Sequence, residues 1–116
     1  MTVLNKDFTP AELDLYVDQG DDFSKVITLK DEENVPLDLT GFSFTVSIKE
    51  YFNSSKGITG SVSIVGSPSE GQLLIGVTTT NTQLMTRPRY VYTVRGTNGT
   101  ETVRVLSGQV LVNPMP

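Results

Sequence analysis

The run from Phe42 to Lys49 constrains this chain more than any other. Phe42, Phe44, Val46 and Ile48 alternate strictly with Ser43, Thr45, Ser47 and Lys49. A period of two puts successive side chains on opposite faces, so the run predicts a strand with one face in a core and the other in water. The alternation returns in Tyr90, Tyr92 and Val94 against Val91, Thr93 and Arg95, and more briefly in Leu13 and Leu15 against Glu12 and Asp14. Phe23, Ile27 and Leu29 mark another strand. Its inward face also carries Lys25, which predicts a sheet margin or a bulge there.

Further strands are expected around Val62 and Ile64, over Gln72 to Thr78, and over Glu101 to Val112. Gly- and Asp-rich segments such as Gln19-Gly20-Asp21-Asp22 and Asp31-Glu32-Glu33-Asn34 read as turns between them. Asn98-Gly99 lies between two alternating runs and predicts a type I′ hairpin, with both residues at positive φ. The apolar parity flips from Val103 and Val105 to Val110 and Val112, which predicts a bulge at Ser107-Gly108. Thr78 to Arg87 reads as a connection between two sheets that contains a helical turn. With seven or eight short strands and no sustained helical period, the chain is expected to be all-β, an immunoglobulin-like antiparallel β-sandwich. Tyr90 then falls where such sandwiches keep a tyrosine corner. The expected organisation is an N-terminal arm over residues 1–10 lying outside the sheet, the sandwich over 11–113 and a tail over 114–116.

Composition narrows the function. The chain has no Cys and no His in 116 residues. Disulfides, thiolate metal sites and the usual general base are therefore excluded, and only carboxylate, Ser-Lys or Thr-based catalysis remains. No catalytic residue, cofactor, metal or small-molecule substrate is expected. Net charge is −4, from 9 basic and 13 acidic residues, without the basic face that a nucleic-acid-binding domain carries. The longest apolar runs, such as Leu73-Leu74-Ile75, are too short to cross a membrane as a helix. Met1 to Asp7 lacks a charged region followed by an apolar stretch, so no signal peptide is expected. Asp21-Asp22 and Asp31-Glu32-Glu33 are the clearest carboxylate clusters. Neither has the spacing of a calcium loop, and both read as solvated turns. Arg87, Arg89, Arg95 and Arg104 concentrate positive charge in the last third; Arg95 and Arg104 flank the Asn98-Gly99 hairpin and are placed to face each other across it.

The order of these elements resembles a known family. Gln19-Gly20-Asp21-Asp22-Phe23 is followed by Leu29-Lys30-Asp31, and Pro36-Leu37-Asp38-Leu39-Thr40-Gly41 by the alternating strand. Gly71-Gln72-Leu73, Arg89-Tyr90-Val91-Tyr92 and Val105-Leu106-Ser107-Gly108-Gln109-Val110 come later. The pattern is similar to small immunoglobulin-like virion structural proteins of tailed bacteriophages. It resembles the N-terminal domain of the siphophage baseplate upper protein and structural proteins of cyanobacterial and marine phages. Asp38-Leu39-Thr40-Gly41 before an alternating strand is its most specific part, and the likeness spans about residues 12–113.

The resemblance implies a non-enzymatic docking or scaffolding component of the tail, baseplate or neck. Such a component is assembled in the host cytoplasm into a virion, in a multi-copy symmetric assembly with other virion structural proteins. Two alternatives stand beside it: a capsid decoration protein on the phage head, and a carbohydrate-binding module using Tyr16, Tyr51 and Phe52. The residues expected to contact partners are Thr2, Val3, Leu4 and Phe8 on the arm, with Arg95 and Arg104 on the hairpin.

Overall fold

The computed structural model describes Leu4 and residues 8–114. In chain order the strands are β1 (Ala11–Glu12), β2 (Leu15–Asp18), β3 (Phe23–Thr28), β4 (Ser43–Lys49), β5 (Gly57–Ile58), β6 (Ser61–Ile64), β7 (Gln72–Val77), β8 (Arg89–Thr97) and β9 (Thr102–Asn113). A single helical turn, α1 (Thr79–Thr82), carries the chain from β7 to β8, as the sequence predicts. β1 and β2 are two halves of one interrupted strand. Both run parallel to β9, with Ala11 opposite Leu106 and Leu15 opposite Val110, so the register survives the gap.

The strands form two layers. One sheet has the order β1/β2–β9–β8–β4–β5, and the other has the order β3–β7–β6. Every pairing is antiparallel except that of the first strand on the last. This is the strand order of an immunoglobulin-like sandwich, with the first strand moved from the side of β3 to the side of β9. Tyr90, at the start of β8, accepts a hydrogen bond on its hydroxyl from the Arg87 N–H at 3.3 Å, which is the tyrosine-corner arrangement.

The core is filled by the inward rows of both layers. Tyr90, Tyr92 and Val94 of β8 share one buried cluster with Leu73, Ile75 and Val77 of β7 and with Val103, Val105, Leu106, Val110 and Val112 of β9. Phe42 and Ile48 are buried as expected, but Phe44 and Val46 are only half-buried. The reason lies in the neighbouring strand. β5 is two residues long and pairs only with Ile48 and Lys49, so among the described residues the first part of β4 has no strand on its outer side. Leu37 and Leu39 are fully buried, and their backbone N–H groups reach the carbonyls of Leu29 and Pro68 at 2.9 Å each. The connection from β3 to β4 therefore plugs one end of the sandwich.

Three expectations need correction. Leu4 is not on a free arm: it is 2% exposed, lies in the core cluster, and donates its N–H to the Asp38 carbonyl at 3.1 Å. A leucine without a periodic context gives no parity signal, so its burial is invisible in the sequence. The bulge lies earlier on β9 than Ser107-Gly108. Val94 faces Leu106 while Arg95 faces Arg104, which leaves Val105 as the extra residue and buries two consecutive side chains. Gly108 has another role. A Cβ there would strike the Leu13 carbonyl oxygen, in the space where β1 gives way to β2. Finally, the hairpin from β8 to β9 turns about Gly99 and Thr100. Gly99 has φ +92°, whereas Asn98 has no positive φ. The Asn98 carboxamide oxygen accepts the Thr100 and Glu101 N–H groups at 2.9 and 2.7 Å, which fixes Asn98 ahead of the turn. A type I′ turn needs positive φ at both central residues, so the Asn98-Gly99 turn expected from the sequence does not form.

Lys25 does sit at a margin. β3 is an edge strand, and Lys25 shares the parity of the part-buried Phe23 and Ile27.

Two predictions follow from the packing. Leu4→Ala should lower the unfolding free energy by about 2–5 kcal/mol, the range for truncating a buried leucine; an unchanged urea midpoint would refute its place in the core. The Tyr92 hydroxyl donates to the Leu13 carbonyl, and Tyr92→Phe should cost about 1–3 kcal/mol by leaving that carbonyl unpaired. Burial, and then the nearby Asp14 charge, raise the Tyr92 pKa above its ordinary 10.0. The neutral phenol is favoured in the fold. Its contribution is complete below about pH 10 and is lost as the pH rises further, so the phenylalanine variant should show a flatter alkaline limb.

Candidate partner-binding groove

Antiparallel pairing with alternation determines what the outward face of the larger sheet displays. Register places Arg95 of β8 opposite Arg104 of β9 and Thr45 of β4. The row on one side is Ser43, Thr97 and Thr102; the row on the other is Ser47, Thr93 and Ser107, continued by Glu12 of β1. Two guanidinium groups thus rise side by side from a bed of hydroxyls. Like charges directly opposite each other on a sheet destabilise it, so the pair favours any anion that comes to rest against it. Among the described residues neither arginine forms an ion pair; the pair found there is Arg87 with Glu50 at 3.6 Å.

A groove of about 380 Å³, open to solvent, lies at this place. It is lined by Phe8, Pro10, Arg95, Thr102, Val103 and Arg104. β1 joins β9 only from Leu106 onward, so among the described residues the Thr102–Val105 part of β9 has a strand on one side alone. Phe8 and Pro10 stand beside that stretch without pairing to it and form the apolar wall. Guanidinium groups offer donors in a planar fork matched to carboxylates, and neighbouring hydroxyls add further hydrogen bonds. The arrangement suits recognition of an acidic group.

The structure brings together three of the residues expected to contact partners, Phe8, Arg95 and Arg104. Leu4 is withdrawn into the core. Thr2 and Val3 lie outside the described residues. Pro10, Thr102 and Val103 also line the groove; the signal that would find Thr102 is its place two residues before Arg104 on an outward face. Arg87 and Arg89 lie at the opposite end of β8 from the groove.

One carboxylate of each acidic cluster is spent on structure. Asp22 accepts the Thr79 N–H and hydroxyl, both at 2.7 Å, and so holds α1 to the turn before β3. Asp31 accepts the N–H groups of Glu33 and Val35 at 2.9 and 3.0 Å and shapes its own turn. Among the described residues no group of three acidic side chains could hold a metal ion. Tyr16, Tyr51 and Phe52 are 71%, 56% and 79% exposed. Tyr16 sits on β2, however, and Tyr51 follows β4 three strands away, roughly 14 Å at the usual strand spacing. They do not form one stacking platform. Among the described residues no helix is long and apolar enough to cross a membrane.

No family model matches the chain, and no curated protein shows significant sequence similarity to it.

The aspartate turns set the response to acid. Hydrogen bonds from the Thr79 hydroxyl and N–H lower the Asp22 pKa, and those from the Thr40 hydroxyl and N–H lower that of Asp38. Each carboxylate contributes stability that is complete above its ordinary value near 3.8 and is lost as the pH falls through the lower folded value. An Asp22→Asn, Asp38→Asn double variant should therefore show a shallower fall of urea midpoint below about pH 4. Superimposable acid limbs would contradict these roles.

Proposed function

We propose that this chain is a non-enzymatic structural protein of a tailed-bacteriophage virion, a docking component of the tail, baseplate or neck present in many symmetric copies. The observation that carries the docking role is the groove, where two adjacent guanidiniums and an apolar wall await an acidic partner. The likeness of Asp38-Leu39-Thr40-Gly41 and its following strand to phage virion modules supports the particle assignment. The sandwich itself supplies a rigid carrier: the groove stands on paired strands, so little ordering is needed on contact.

The reading makes a quantitative demand on particles. Purified virions encoded alongside this chain should contain it in a copy number set by threefold, sixfold or twelvefold rings. Arg95→Glu with Arg104→Glu should reduce incorporation while leaving the melting temperature of the isolated chain nearly unchanged. Particles that lack the chain would overturn the assignment. A copy number matching the capsid lattice would instead place it on the head as a decoration protein.

A further inference from the structure

We infer that the groove receives the Glu32-Glu33 turn of a second copy of this chain, so that copies join head to tail. The inference rests on the docking reading above and names its occupant.

The chain carries net −4, yet its groove presents two arginines in register. The complementary feature is the turn between Lys30 and Pro36, which are themselves bridged as an antiparallel pair. Within it the Asp31 carboxylate is occupied by the Glu33 and Val35 N–H groups, and Asn34 takes φ +66° to close the turn. Glu32 and Glu33 are exposed at its tip. Two carboxylates are thus held on a short, internally hydrogen-bonded knob, a shape that enters an open groove with little loss of freedom. Two carboxylates against two guanidiniums also match in number, with Thr102 beside them as a hydroxyl donor.

Geometry then fixes the kind of assembly. The knob extends from β3 of the smaller sheet, and the arginine row lies on the outward face of the larger one. One copy cannot fold its own knob onto its own groove while both sheets stay intact. The contact joins two different surfaces, so it is heterologous, and repeated contacts close into a ring or continue as a filament.

The test uses the full chain with two charge-reversed variants, Arg95→Glu/Arg104→Glu and Glu32→Lys/Glu33→Lys. All four positions are exposed or half-exposed, and circular dichroism with melting checks that each variant folds; Arg104→Glu alone serves if the double variant does not. Sedimentation velocity at low salt should show concentration-dependent association of the parent chain that weakens at high salt. Each variant alone should associate at least about tenfold more weakly. Mixing the two should restore association, because every interface then pairs opposite charges. Failure of the mixture to associate would overturn the inference. So would a parent chain that is monomeric at every salt and concentration. If, in addition, the groove variant is lost from particles while the knob variant is retained, the groove docks another virion protein and only the self-association is wrong. If both variants enter particles normally, the docking reading fails as well.

Discussion

The placement of the first strand governs much of this molecule. β1 and β2 lie parallel to β9, and a parallel ladder of short segments is a weak attachment by itself. Side chains reinforce it at the break between the two segments. The Tyr92 hydroxyl crosses above Gly108 to the Leu13 carbonyl, and the Asp14 carboxylate accepts the Gln109 N–H at 3.2 Å. A side chain at position 108 would strike the Leu13 carbonyl, so the glycine, the tyrosine and the strand break form one unit. With the first strand fixed in this way, Leu4 reaches the core beside the β3–β4 connection, and Phe8 and Pro10 are delivered to the margin of β9.

The same placement leaves β3 uncovered, and the chain manages that edge. Exposed strand edges invite pairing with other chains, and an inward-directed charge is one way to prevent it. Lys25 has that position on β3. On the far side the two edges are short: β5 has two residues and β6 four, and they follow one another across the layers through Thr59 and Gly60. Such an edge discourages backbone pairing with another chain and leaves side-chain surfaces such as the arginine row open to contact.

Much of the fold was legible because alternation reports burial directly. The inward rows of β7 and β8 and the helical turn after β7 follow from period and composition, and so does the edge position of Lys25. Legibility ended where burial was not periodic. Leu4, Leu37 and Leu39 are buried through backbone hydrogen bonds to distant carbonyls, and no local pattern announces such contacts. The Asn98 turn type depended on a side-chain hydrogen bond that competes with the backbone conformation expected for Asn-Gly. For the groove, the nearness of Arg95 and Arg104 across the hairpin was readable, but their direct pairing was not, because a turn centred on Asn98-Gly99 would set Arg95 opposite Thr102. The wall of Phe8 and Pro10 was not, because it depends on where the chain enters the sheet.

The bulge on β9 has a consequence at the level of the gene. Val105 is the one residue of that strand without its own partner on β8 between the Arg95–Arg104 and Val94–Leu106 pairs. An in-frame loss of its codon removes a buried valine, yet every other side chain of β9 keeps its present face, and the ladder becomes regular. Loss of the codon for Ser107 or Gln109 can also absorb the bulge, but it turns Leu106 from the core to water, and loss of Gln109 moves Gly108 away from Tyr92 as well. Tolerance to single-codon deletion along β9 should therefore be concentrated at Val105 and Leu106, and the groove would survive a deletion there with both arginines still side by side.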